Sequence, residues 1–129
     1  IMRQSILSIL AAAVAVTGAS AADRLSSLAG SEWGFEQGRD TYIQFAENDV
    51  SGFSGCNRFR GSYTYAEGKL SFGPLASTRM ACSPEQLEIE RTILQLLEAT
   101  KAAEATHKTL MLQDGTGAAL ATLNRRDFD

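Results

Sequence analysis

The sequence holds one histidine, His107, one tryptophan, Trp33, two prolines and two cysteines. A single imidazole rules out a multi-histidine metal cage, and leaves only His107 for any acid–base pair that needs one. The cysteines, Cys56 and Cys82, form no C-x-x-C pair and have no histidine beside them, so zinc-site spacing is missing. Positive charge is also scarce: 12 Lys plus Arg face 15 Asp plus Glu, a net charge of −3. An acidic chain is badly suited to nucleic acid, where affinity comes mainly from neutralised phosphates. Long apolar runs are lacking except at the start of the chain.

That start has a recognisable form. Met2 and the cationic Arg3 precede the apolar run from Ile6 to Val16, and Ala19-Ser20-Ala21 follow with small side chains at the positions before a cut. This is the pattern of a secretory signal peptide. The run is shorter than the about 20 residues that cross a bilayer. Residues 1–21 are therefore expected to be a leader, and residues 22–129 one small domain. Losing Arg3 leaves 11 basic against 15 acidic residues, or −4. In an oxidising compartment an even cysteine count reads as a disulfide, here Cys56 to Cys82. Such a closed loop would stabilise the fold by about 3.5 kcal/mol in the chain-entropy treatment.

Through residues 22–129, strand patterns dominate. Thr41–Phe45 places Ile43 and Phe45 on one face, and Val50–Gly55 reads as a glycine-rich strand with a bulge or a close backbone approach. In the next strand Phe59, Gly61, Tyr63 and Tyr65 share one face, while Arg58, Arg60, Ser62 and Thr64 share the other. Glu67-Gly68 makes a hairpin back to Leu70 and Phe72. Ser83, Pro84 and Gln86 form a capping box with proline at the first helical position. Ile89, Ile93, Leu96 and Leu97 then recur at helical spacing, predicting a helix to about Thr100. Thr109–Leu112 and Ala118–Leu123 read as closing strands around Asp114-Gly115-Thr116-Gly117. The expected class is α+β, a mostly antiparallel sheet with one packed α-helix.

Chemistry is harder to assemble. In the segment from Ser51 to Gly61 no glycine leads into Lys and Ser or Thr, so no phosphate loop is present. Gly52-Phe53-Ser54-Gly55 is one residue short of a nucleophile elbow. Its glycines are expected to permit φ > 0 or a close strand crossing, and Asn57 to tolerate a left-handed turn. Arg79 could bind an anion, but an ion pair with a carboxylate such as Glu90 is favoured. His107 is expected to be exposed on a strand. No nucleophile, base and oxyanion site come together, so the expectation is no catalytic residue, no cofactor and no metal.

Several blocks resemble the META domain family, whose members include HslJ-like heat-inducible envelope proteins. Leu28-Ala29-Gly30-Ser31-Glu32-Trp33 looks like an opening L-x-G-x-x-W. Gly52, Gly55, Cys56, Asn57, Phe59, Gly61 and Tyr63 follow a central G-x-x-G-C-N-x-F-x-G-x-Y. Thr78-Arg79-Met80-Ala81-Cys82 is similar to a T-x-M-A-C block, Glu90 to a helix glutamate, and Leu110 to Gly117 to L-x-L-x-D-x-x-G. The resemblance spans residues 25–124.

It implies a small, mostly antiparallel partial β-barrel, incompletely closed, with the helix packed against it. It also implies an exported, non-catalytic envelope protein tied to envelope stress or antibiotic tolerance, acting as a binding or interaction module. The motif residues then count as structural, and the partner is an unidentified envelope protein or cell-wall component. No cysteine stands at the leader's cut, so a soluble periplasmic or secreted monomer is expected, with no stable membrane insertion after cleavage. The alternative is a carrier of a small apolar ligand held inside the barrel, lined by Phe45, Phe53, Phe59, Tyr63, Tyr65 and Phe72.

Overall fold

The protein is described from a computed structural model covering residues 24–127. The leader expected over residues 1–21 lies outside the described residues. Among the described residues nine strands and one helix follow in order: β1 (Glu32–Gly34), β2 (Tyr42–Phe45), β3 (Asp49–Phe53), β4 (Arg58–Ala66), β5 (Lys69–Phe72), β6 (Ala76–Ser77), α1 (Pro84–Ala99), β7 (Ala102–Ala105), β8 (Thr109–Gln113) and β9 (Ala119–Arg125).

All strand pairings are antiparallel, and they close on themselves. The sheet runs β3-β2-β1-β9-β8-β7-β5-β4, and β3 also pairs with β4. Eight strands thus form a complete ring, which corrects the expected partial barrel. Two short strands make the difference. β1 bridges β2 and β9 through Trp33↔Ile43 and Trp33↔Arg125. β7 bridges β8 and β5 through Ala103↔Leu112 and Lys69↔Ala102. Closure removes exposed edges from the ring. β6 stays outside it, paired with Phe59 and Arg60 of β4.

An eight-stranded barrel has an interior just wide enough for side chains to fill. Alternation along the strands supplies them: Trp33, Ile43, Phe45, Val50, Phe59, Leu70, Leu110, Leu112 and Leu123 are almost fully buried. Phe45 and Tyr63 meet edge to face at 4.8 Å. The Tyr63 hydroxyl donates to the Ala46 carbonyl at 2.6 Å, and burial, helped by Glu47, raises its pKa. The Trp33 indole N–H donates to Ser31 Oγ at 2.8 Å, which keeps a buried polar atom satisfied.

The helix begins as its capping box dictates. Ser83 Oγ accepts from the Gln86 N–H, and Gln86 Oε1 accepts from the Ser83 N–H. Thr100 caps the other end, and Ile93 and Leu97 enter the barrel core. Among the described residues no helix is long and apolar enough to cross a membrane.

Candidate functional site

The densest polar arrangement joins the loop between β3 and β4 to α1 and to the segment that carries β6. Gly55, at φ 107°, lets that loop press on the helix: a β-carbon there would lie 2.8 Å from Ile89 Cγ2. Glu90 projects from α1 into the loop. Its Oε1 accepts the Asn57 backbone N–H at 3.0 Å and lies 3.1 Å from Ser54 Oγ, while Oε2 accepts the Asn57 side-chain amide at 3.3 Å. On the other side Asn57 Oδ1 accepts from the Met80 N–H at 2.7 Å and from the Thr78 hydroxyl at 3.0 Å. Thr78 Oγ1 accepts from the Arg58 N–H, and the Thr78 N–H donates to the Arg58 carbonyl.

Asn57 is therefore a bridge among three segments. Its φ is not positive, so the left-handed turn expected for it is absent. What requires asparagine here is an amide that accepts on one side and donates on the other. Ser54 and Asn57 are both buried, and each finds its partners inside the cluster. The Cys56–Cys82 disulfide, with Cα atoms 6.0 Å apart, ties the same two segments a second time. The chain from Leu75 to Cys82 is thereby strapped to the outside of the barrel. At its centre the Met80 side chain stays 59% exposed. Leu87, in the first turns of α1, is the other large apolar side chain in the open among the described residues.

Arg79 makes no ion pair among the described residues. The expected partner Glu90 is taken by Asn57 and Ser54 instead. His107 is exposed in the turn between β7 and β8, not on a strand as expected. Ser54, the hydroxyl with near-elbow spacing, is fully buried and bonded to the cluster. No group of three metal-ligating side chains occurs among the described residues.

A groove of about 480 Å³ runs along the outer face beside β6. Tyr42, Ser51, Arg58, Arg60, Ser77 and Thr78 supply its polar walls, with Gly52, Phe59 and Ala76 between them. The arginines face outward and Phe59 and Tyr63 inward, as the alternation predicts. Arg58 Nη1 donates to the Tyr42 hydroxyl at 3.3 Å, and the Arg126 guanidinium lies 4.8 Å from the Tyr42 ring centre. Sequence reasoning missed Tyr42, Ser51 and Ser77, which meet only through strand pairing across 35 positions. The one available signal was the outward phase of Arg58 and Arg60.

The META domain family model matches residues 19–127. The chain belongs to the META domain family. Over 71 residues this META domain is 37% identical to the heat shock protein HslJ of Escherichia coli strain K12. The match covers 54% of this chain and 51% of that protein, so the chain spans about half the length of this relative. A solved NMR structure of a protein from Burkholderia xenovorans is similar, with a TM-score of 0.64 and 29% identity over 78% of this chain and 85% of the other. A second NMR structure gives a TM-score of 0.56 and 27% identity, covering 77% and 90% of the two chains. Within this META domain the central motif and the T-x-M-A-C block meet at Asn57, Thr78, Met80 and the disulfide. Trp33, Gly52, Phe59, Gly61 and Tyr63 belong instead to the barrel wall and its filling.

Proposed function

We propose that this META domain is an exported, non-catalytic envelope protein that acts as an interaction module, presenting the strap from Leu75 to Cys82 to a partner in the envelope or cell wall. The observation that carries the reading is the strap itself. Two buried polar residues, one helix carboxylate and a disulfide hold it in place, yet Met80 at its centre is left in solvent. Fixing a segment this firmly while leaving a large apolar side chain uncovered favours preorganised contact. Methionine suits such contact because its flexible thioether adapts to different surfaces.

The disulfide supports an oxidising compartment, periplasmic or secreted. Kinship with a protein named for heat shock supports a role under stress. The carrier alternative has little behind it, because Trp33, Phe45, Phe59, Leu70 and Leu110 occupy the barrel interior.

Site-specific photocrosslinking in cells tests the reading. A photoreactive residue in place of Met80 should yield one discrete adduct in the envelope fraction, and the same residue in place of the exposed Lys108 should not. Identical patterns from both positions, or recovery of the protein only from the cytoplasm, would reject it.

A further inference from the structure

The groove beside β6 gathers positive charge that has no carboxylate partner. Arg24, Arg91, Arg125 and Arg126 each pair with a carboxylate: Glu104, Glu88, Asp127 and Glu32 in turn. Arg39, Arg58, Arg60 and Arg79 do not; of these Arg58 and Arg60 line the groove, and Arg79 lines the neighbouring recess that shares Ala76, Ser77 and Thr78 with it. No carboxylate lines the groove itself. Asp49 stands next along β3, opposite Ser62, and makes no ion pair. In a chain of net charge −3, two guanidiniums without an ion-pair partner in one recess mark it for an anion.

The spacing says which kind. Arg58 and Arg60 are two residues apart on one strand face, so their Cα atoms are about 7 Å apart. One carboxylate is satisfied by one bidentate arginine, whereas a tetrahedral dianion offers oxygens to both guanidiniums at once. Ser51 lies directly across from Arg60 and shares its outward face, whereas Ser77 lies across from Phe59 and shares the inward one. The Ser51 hydroxyl makes no hydrogen bond within the protein among the described residues and can add a donor beside Arg60. Tyr42 is held on its hydroxyl by Arg58 and on its ring by Arg126, so its remaining surface forms a fixed apolar wall. About 480 Å³ is within the range of small-molecule sites.

We propose that this groove binds a soluble phosphomonoester, its phosphate spanning Arg58 and Arg60 and its uncharged body lying against Tyr42 and the Ala76–Thr78 backbone. An anionic membrane is disfavoured as the occupant, because a recess admits a headgroup poorly and the chain's overall charge opposes approach to such a surface. The assignment goes beyond the interaction-module reading and does not depend on export or on a partner at Met80.

Amide chemical-shift titration of the isotope-labelled protein at low salt tests it. Glucose 6-phosphate should move the Ser51, Arg58, Arg60 and Ser77 amides saturably, inorganic phosphate should move the same amides more weakly, and glucose should move none. The double variant R58Q/R60Q should keep the spectrum of a folded protein and lose at least about tenfold in affinity, as loss of charge-assisted hydrogen bonds demands. Arg39→Gln, an exposed arginine outside the groove, should bind as the parent does. Non-saturable shifts, equal binding by R58Q/R60Q, equal shifts with glucose, or binding only to phosphatidylglycerol vesicles would overturn the assignment.

Discussion

Glu90 grips Asn57 with both carboxylate oxygens, one on its backbone N–H at 3.0 Å and one on its side-chain amide at 3.3 Å. The pair connects α1 to the loop from which β4 starts, and through Asn57 Oδ1 to the strap. Removing the carboxylate leaves both Asn57 donors short of an acceptor, while the buried Ser54 hydroxyl keeps only the Asn57 carbonyl. Glu90→Ala should therefore cost about 2–3 kcal/mol in urea unfolding. Glu90→Gln keeps one acceptor oxygen and should cost about half as much. Equal losses for the two variants would show that side-chain packing, not acceptance, is what Glu90 contributes.

The disulfide acts on the same junction through the unfolded chain. Cys56 and Cys82 are 26 residues apart, and closing such a loop lowers the unfolded state's entropy by an amount worth about 3.5 kcal/mol. Protein isolated without reductant should be two hydrogens lighter than its reduced form. Cys56→Ser should unfold at lower urea, with a loss of about 2–5 kcal/mol. An unchanged midpoint would mean that the hydrogen bonds at Asn57 hold the strap unaided.

Gly52 tests the barrel wall. A β-carbon there would overlap the Tyr42 carbonyl oxygen and lie 2.6 Å from Phe59 Cζ, so neither backbone nor ring can yield cheaply. Gly52→Ala should destabilise by about 3 kcal/mol through overpacking. Gly115, whose β-carbon would meet only Lys101 Cγ at 3.7 Å, should accept alanine with little change. Thermal melts of the two variants side by side decide the matter.

Acid should loosen the turn between β8 and β9. The Thr116 hydroxyl, then the Thr116 and Ala118 N–H groups, donate to Asp114 and lower its pKa. The Arg125 guanidinium does the same for Asp127. Both carboxyls bind their proton less readily in the folded chain than in the unfolded one. Their stabilisation is thus complete above the ordinary carboxylate pKa of about 4 and drains away as pH falls through the lowered values. Asp114→Asn should melt lower than the parent at pH 7, and its midpoint should fall less between pH 4 and acid. A parallel acid profile would contradict this assignment.

Much of this architecture was legible in the residues. Ser83, Pro84 and Gln86 are local signals that act within one helical turn, and the structure places every one of them as expected. The alternation in Phe59, Arg60, Gly61, Ser62 and Tyr63 likewise fixed which side chains point inward. Ring closure was not legible. β1 is three residues long, too short to show a period, and Ala102-Ala103-Glu104-Ala105 has the composition of a helix. Ala103 and Ala105 lie on the buried face of β7 between larger neighbours, and only the tertiary partners Leu110 and Leu112 show why. Asn57 was misjudged for a similar reason: its role depends on Glu90 and Met80, which stand 33 and 23 positions away.

β1 pairs with β9, so the first and last strands of the domain are neighbours, and the Arg126 N–H donates to the Glu32 carbonyl at 2.8 Å. A growing chain cannot complete that seam until β9 has been made. Until then the rows of β1 and β8 that face β9 remain unsatisfied, ready to pair with another copy. Closure of the domain accordingly waits on its last strand, and a chain still lacking β9 depends on being kept apart from its siblings.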